Sequence, residues 1–145
     1  MKQAIRILMI EENKEDAAYV LTFLRKRSDM DFTSTLVCTE KEFESAFRQA
    51  EFDILLCNYP LPRLLSQEVI EIARIKRPDL AFIIISGALL EEEVIQVYVE
   101  TGADNYVMKD NLVRLPSAVK KAVEAKKQQG YPVANYRIPL PPRVD

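Results

Sequence analysis

Polar side chains follow four of the short apolar runs in this sequence, at the point where each run stops. Glu11 and Glu12 follow the first run, Asn58 a later one, and Ser86 and Lys109 the last two. If these runs are strands of one parallel sheet, their carboxyl ends meet at a single edge, where α/β proteins bind ligands. Every strand must end in something polar, but an acidic pair, a hydroxyl and a lone lysine together indicate a site.

These side-chain types suit the transfer of a phosphoryl group to a carboxylate. Two acidic side chains can hold Mg²⁺, which prefers hard oxygen ligands and keeps several waters. Lys109 and Ser86 can contact the remaining phosphoryl oxygens and stabilise the charge that develops during transfer. The reaction also needs a carboxylate nucleophile.

Strands and helices that would position these residues alternate five times along the chain, with no internal repeat. Such alternation predicts a parallel sheet covered by helices on both faces and built from right-handed crossovers. The run before Asn58 is the most sharply bounded, because Pro60 and Pro62 prevent a helix directly after it. The predicted strands are Ile5–Ile10, Phe32–Cys38, Asp53–Cys57, Leu80–Ile85 and Asn105–Met108, and the predicted helices start near Lys14, Thr39, Ser66, Glu91 and Leu112.

The last predicted helix ends near Gln128, and the segment after it has a different composition. Four of the fifteen residues from Tyr131 to Asp145 are proline. We therefore predict one domain over residues 1–129 and a proline-rich tail or linker over residues 130–145, mostly extended.

The bulk composition excludes several classes of protein. A net charge of −2 argues against a general binder of nucleic acid backbones. The absence of histidine and of a CxxC motif makes a zinc site improbable. No apolar run approaches ~18 residues, so we expect no membrane segment and a cytoplasmic protein. Cys38 and Cys57 both fall in predicted strands and are expected to be buried free thiols.

In this order and spacing, the motifs resemble the receiver domain of two-component response regulators, from about residue 5 to residue 127. That family has an acidic pair after the first strand, an aspartate phosphoacceptor after the third, serine or threonine after the fourth and lysine after the fifth. Here these positions hold Glu11-Glu12, Asn58, Ser86 and Lys109. The stretches DILLCNYPLPR, FIIISGALLEEE and GADNYVMKDNLVRL are similar to receivers found in or beside sensor histidine kinases.

The resemblance implies a flavodoxin-like (βα)5 three-layer sandwich of CheY type, with a parallel five-stranded sheet of order 2-1-3-4-5. It implies that Ser86 and Lys109 contact the phosphoryl group. It also implies that Glu11, Glu12, Asn58 and the backbone carbonyl of Pro60 are the metal positions. Tyr106 is implied to be the aromatic residue whose rotamer follows Ser86, although an ordinary half-buried strand tyrosine is an equally good interpretation.

Departures from the family pattern concern the reaction itself. Asn58 replaces the phosphoacceptor aspartate, and a neutral carboxamide is a poor nucleophile. Glu12 replaces the commoner metal-binding aspartate, so both changes should weaken Mg²⁺ binding at a site that demands near-octahedral geometry. We expect Asn58 to hydrogen-bond Lys109 and Ser86 instead. The prediction is a pseudo-receiver, which is not an enzyme and which signals without ordinary aspartyl phosphorylation.

Two alternatives stay open at this point. The chain could be a conventional phosphorylatable receiver, if Asn58 is an engineered substitution or deamidates to aspartate. It could also be an unrelated nucleotide-binding enzyme of doubly wound fold, although no glycine-rich phosphate loop is present.

The predicted partner is a histidine kinase or another signalling protein, with no nucleic acid and no membrane. A homodimer through helix 4, strand 5 and helix 5, or through helix 1 or helix 5, is the other predicted contact, because helix 4 is apolar over more than one stripe.

Overall fold

The computed structural model of the chain describes residues 4–27 and 29–136, with side chains up to residue 128. Five strands alternate with five α-helices, as the sequence predicts, and one 3₁₀ segment lies before the last helix. In chain order the elements are β1 Ile5–Ile10, α1 Lys14–Lys26, β2 Phe32–Val37, α2 Glu40–Gln49, β3 Ile54–Asn58, α3 Gln67–Lys76, β4 Ala81–Ser86, α4 Glu91–Thr101, β5 Asn105–Met108, the 3₁₀ segment Lys109–Arg114 and α5 Leu115–Tyr136.

All strand pairs in the sheet are parallel, and the strand order is β2-β1-β3-β4-β5. The predicted (βα)5 architecture is therefore confirmed. Strands β3 and β4 are buried almost throughout, because apolar side chains on both of their faces pack under helices. Strand β2 is at one edge, and its Thr33, Ser34 and Thr35 are exposed.

Two layers of core side chains separate the sheet from its helices. One layer lies under α1 and α5 and includes Met9, Leu56 and Ile83; the other lies under α2, α3 and α4 and includes Leu55, Phe82 and Ile84. Neighbouring residues of one strand therefore contribute to opposite layers, as the alternation of side chains along a strand requires. This packing fixes the four strand ends that carry the candidate site.

Polar side chains cap the first two helices close to the strand ends. The side chain of Asn13 accepts a hydrogen bond from the backbone N–H of Asp16 at 2.9 Å, and Thr39 accepts one from Glu42 at 3.1 Å. Ser66 lies at the predicted N-cap of α3, but its side chain forms no capping hydrogen bond. Helix α4 ends at Gly102, whose φ of 68° lies in the left-handed region that glycine adopts without strain.

The end of the chain differs from the prediction. Helix α5 continues to Tyr136, so the prediction of an extended segment is wrong for residues 131–136. Pro132 lies inside this helix, although an interior proline removes one backbone hydrogen bond and disfavours a helix. Residues 137–145 lie outside the described residues, and the domain boundary at residue 129 stays a prediction. Within the described residues, no helix combines the length and the apolarity needed to cross a bilayer.

Asp53 ties the amino ends of β1 and β3 together, away from the candidate site. Its carboxylate accepts hydrogen bonds from the backbone N–H of Arg6 at 2.8 Å and from the Arg6 guanidinium at 3.1 and 3.0 Å. Burial alone would raise the pKa of Asp53, but the hydrogen bonds from Arg6 outweigh it, so the pKa lies below its usual value. The ionised carboxylate therefore stabilises the fold.

We expect Asp53→Asn to lower the free energy of unfolding at pH 7, and this loss to shrink in acid. A depressed pKa stabilises the folded state above the unfolded-state pKa of about 3.9, and this stabilisation disappears as the pH falls through the folded-state pKa. Urea unfolding of both proteins at neutral and at acid pH measures the difference. Asp79→Asn is the matched control, because Asp79 is exposed and its ion pair within the described residues is with Arg77, two residues away. A difference that stays constant with pH would contradict the assignment.

Candidate functional site

The carboxyl ends of four strands bring the predicted residues to one edge of the sheet. Glu11 lies directly after β1, Asn58 ends β3, Ser86 ends β4 and Lys109 lies directly after β5. The predicted convergence is therefore present. Their side chains, however, are not bonded in the pattern that the sequence led us to expect.

Glu11 is the centre of the site. Its side chain is only 3% exposed, and both of its carboxylate oxygens accept hydrogen bonds. The Oε1 atom lies 3.1 Å from the Lys109 ammonium. The Oε2 atom accepts from the backbone N–H of Asn13 at 3.0 Å and from the Asn58 amide at a longer 3.5 Å. A buried carboxylate is tolerable only because of such donors.

Lys109 connects Glu11 to a third acid that the sequence did not single out as a site residue. Its ammonium lies 3.5 Å from the carboxylate of Asp16, which is exposed in the first turn of α1. Asp16 could be read from the sequence only as an acid that favours a helix start. The stem of Lys109 passes over Gly87, where an added Cβ would lie 2.9 Å from the lysine Cδ. Gly87 therefore leaves room for the lysine to reach Glu11.

Asn58 does not form the predicted hydrogen bonds to Lys109 and Ser86. Its amide nitrogen points to Glu11, and its Oδ1 atom is buried with no hydrogen-bond partner in the described chain. Lys109 binds carboxylates, which are stronger acceptors for an ammonium than a neutral amide oxygen. The orientation with nitrogen towards Glu11 avoids placing the amide oxygen against a carboxylate.

Ser86 is fully buried and holds the two loops of the site together. Its hydroxyl donates to the backbone carbonyl of Tyr59 at 2.7 Å and accepts from the backbone N–H of Leu89 at 3.3 Å. The loop that starts at Asn58 is thereby fixed to the end of β4. The peptide bond between Tyr59 and Pro60 is cis, and the Tyr59 hydroxyl donates to the side chain of Gln67.

The oxygen atoms at this edge are a poor match for Mg²⁺. Glu12 is exposed and forms no ion pair or side-chain hydrogen bond within the described residues. Adjacent side chains of an extended chain point in opposite directions, so Glu12 points to solvent while Glu11 points into the site. Both carboxylate oxygens of Glu11 already accept hydrogen bonds from protein donors. The Lys109 ammonium is therefore a positive charge already in contact with the carboxylate that a metal ion would bind. Across residues 4–27 and 29–136, no group of three or more Asp, Glu, Cys or His residues could hold a metal ion.

Tyr106 faces helix α4. Its hydroxyl donates to Glu91 at 3.0 Å, and this hydrogen bond raises the pKa of the phenol. Its ring lies 5.5 Å from the ring of Tyr98 and 5.7 Å from the Arg114 guanidinium. Tyr106 pairs with Ile84 across the strands, two residues before Ser86. Its predicted role as a switch residue stays a prediction.

Comparisons with known proteins agree with this architecture. No family model matches the chain. The hydrogenase transcriptional regulatory protein HoxA of Cupriavidus necator is 28% identical over 133 residues, which are 89% of this chain and 26% of that protein. The chain thus spans about a quarter of this relative.

Solved structures are similar at lower sequence identity. The response regulator receiver domain of Methanospirillum hungatei has a TM-score of 0.70 at 22% identity, and the match covers 88% of this chain and 100% of that one. A response regulator of Burkholderia pseudomallei, solved with a phosphorylated aspartic acid and a calcium ion, has a TM-score of 0.64 at 18% identity, with 88% and 73% covered.

The fold, the strand order and these neighbours assign the described chain to the CheY-like receiver-domain fold of two-component response regulators. In this chain an asparagine ends β3, and a buried glutamate pairs with the lysine after β5.

Proposed function

We propose that this chain is a receiver-type signalling module that acts through protein–protein contacts and forms no ordinary aspartyl phosphate. The observation that carries the proposal is the position of Asn58, which ends β3 and points its amide nitrogen at Glu11. A carboxamide nitrogen or oxygen does not displace a leaving group from phosphorus as a carboxylate does. Free thiols at Cys57, which is buried, and Cys38, which is half-buried, suit a cytoplasmic location.

The charges of the pocket support the same proposal. In family members with the reaction, a lysine at this place would be available to the phosphoryl group, but here Lys109 is paired with Glu11 and Asp16. A contact between Lys109 and a phosphoryl group would separate this ion pair and leave the buried Glu11 carboxylate without its cation, which is costly. We infer that Mg²⁺ binds weakly, since the pocket already contains its own cation.

Deamidation of Asn58 is disfavoured by the backbone beside it. Spontaneous conversion to aspartate requires the backbone nitrogen of Tyr59 to attack the side-chain carbon of Asn58. That nitrogen donates a hydrogen bond to the carbonyl of Ile85 at 2.9 Å, in continuation of the sheet. The attack would break this bond, so the folded chain protects its asparagine.

By this proposal, the partners are a histidine kinase or another signalling protein. Helix α4 carries the exposed side chains of Ile95 and Val99, and the 3₁₀ segment between β5 and α5 carries that of Val113. These apolar side chains suit a protein contact on the face formed by α4, β5 and α5. A homodimer through this face stays a prediction.

Incubation of the protein with acetyl phosphate and Mg²⁺, followed by intact mass spectrometry, tests the proposed loss of phosphorylation. We expect no mass increase, because the pocket offers neither the nucleophile nor a free lysine. Peptide mapping locates any phosphoryl group that is found. Stoichiometric modification at Asn58, or at an aspartate formed there, would overturn the proposal.

A further inference from the structure

A groove between α2 and α3 lies outside the candidate site. Its volume is about 290 Å³, and the apolar part of its lining comes from Phe43, Phe47, Val69, Ile72 and Ala73. The two phenylalanine rings stack with their centroids 5.6 Å apart and an angle of 12° between their planes. The stacked rings give one wall a flat apolar surface, and α3 supplies the other wall.

Apolar side chains extend from this groove to the surface of α3. Ile72 is 47% exposed although it lines the groove, and Ile75 is 78% exposed. Residues three apart are neighbours on a helix surface, so the two isoleucines form one apolar strip. An apolar strip that continues into a groove is typical of a surface that binds another protein.

Two basic residues stand at one end of the groove. Arg48 lies in the last turn of α2 and Lys76 in the last turn of α3. Both helices follow parallel strands on the same face of the sheet, so their carboxyl ends lie at the same end. Neither Arg48 nor Lys76 forms an ion pair in the described part of the chain. Glu44, one turn before Arg48 on α2, also lines the groove and forms no ion pair with either cation in the described residues. With two cations and one carboxylate, the groove carries a net positive charge, and its basic end lies next to an apolar surface.

We propose that this groove binds an amphipathic helix of a partner protein, with an apolar stripe between α2 and α3 and carboxylates at Arg48 and Lys76. Charge complementarity selects this partner, because two unpaired cations favour acidic side chains at one end of the apolar stripe. A helix that places residues i, i+3 or i+4, and i+7 into a groove is a common mode of recognition.

The groove shares no residue with the strand-end site formed by Glu11, Asn58 and Lys109. Binding of a helix in the groove does not depend on whether a phosphoryl group can be attached at the strand-end site. A failure of the peptide to bind and a failure of the proposed function are therefore separate results. Binding in the groove without phosphorylation agrees with both proposals.

Two synthetic peptides serve as probes. Both have leucines at i, i+4 and i+7 of one helical face; one carries two glutamates beyond the last leucine, and the other carries two lysines there. We expect saturable binding of the glutamate peptide to the full chain in fluorescence anisotropy, and binding about ten-fold weaker for the lysine peptide at low salt. Equal affinity for both peptides, or no saturable binding of the glutamate peptide, would overturn the proposal.

Substitutions in the groove test where the peptide binds. Ile72→Ala should weaken binding of the glutamate peptide about five-fold, since it removes apolar contact area. Arg48→Glu with Lys76→Glu should reverse the preference between the two peptides. Tyr19→Ala on α1 is the matched control, because Tyr19 is 62% exposed and α1 covers the opposite face of the sheet. Circular dichroism and thermal unfolding establish that each variant is folded.

Several results would contradict the proposed partner. Loss of binding through Tyr19→Ala, or unchanged binding of Ile72→Ala, would place the peptide elsewhere. Light scattering could also show that the wild type is a dimer and that Ile72→Ala is a monomer. This result would assign the groove to a second copy of this chain and would overturn the proposal.

Discussion

Replacing Asn58 by aspartate is expected to give a chain that accepts a phosphoryl group from acetyl phosphate in the presence of Mg²⁺. The substitution supplies the missing carboxylate nucleophile at the end of β3, close to Ser86 and Lys109. It also replaces the amide donor that now lies 3.5 Å from Glu11 by a second anion. Like charges this close repel, so Asn58→Asp should be less stable than the wild type without a divalent cation.

Magnesium should offset that repulsion, because a cation that binds only the folded state raises the free energy of unfolding. We expect the thermal midpoint of Asn58→Asp to rise with Mg²⁺ concentration and that of the wild type to stay constant. Intact mass after acetyl phosphate treatment should show one phosphoryl group on the variant alone. If Mg²⁺ bound beside Glu11, it would also free Lys109 to contact the phosphoryl group, since the glutamate would then have a second cation as its partner.

Asn111→Asp is a control for the added charge, because Asn111 is exposed in the 3₁₀ segment after the site. It should respond to neither Mg²⁺ nor acetyl phosphate. A variant Asn58→Asp that binds no Mg²⁺ would contradict the expected rescue. The combined variant Asn58→Asp with Glu12→Asp would then identify the extra methylene of Glu12 as the second block, since its exposed carboxylate starts one atom further from the backbone.

The strand ends of this site could be predicted from the sequence, because each is the end of a continuous apolar run. Strand β4, for example, is buried at all of its six residues, and Ser86 ends it. The threonine and serine residues of β2 are also typical of the edge strand that it forms. Pattern and turn chemistry determine where such runs stop, and parallel pairing then brings their ends together.

The bonding within the site could not be predicted in the same way. The acceptors that Lys109 contacts depend on the distances between the ends of β1 and β5 and the start of α1. Asp16 contacts Lys109 because the first turn of α1 lies close to the end of β5. The groove was also missed, since Phe43 and Phe47 belong to the core-facing stripe of α2 by their spacing. A helical pattern shows which face is apolar, but not whether a neighbouring helix covers it completely.

Replacing Glu11 by alanine is expected to cause the largest loss of stability among substitutions at the site. The change leaves the Lys109 ammonium, whose side chain is only 19% exposed, with the more distant Asp16 as its acidic partner. It also removes the acceptor of the Asn13 backbone N–H and of the Asn58 amide. Breaking a buried pair by removing one partner costs about 3–5 kcal/mol, and partial exposure of the lysine reduces this to roughly 2–4 kcal/mol.

Urea unfolding at pH 7 measures this loss, as a lower midpoint at an unchanged slope. Glu12→Ala is the matched control, since Glu12 is exposed, and it should change the free energy of unfolding by less than about 0.5 kcal/mol. The double variant Glu11→Ala with Lys109→Met removes both charges and should be more stable than Glu11→Ala alone, because no unpaired cation remains at the buried site. If Glu11→Ala unfolded at the midpoint of Glu12→Ala, the pocket would not depend on its internal ion pair, and Lys109 would be free to serve a phosphoryl group.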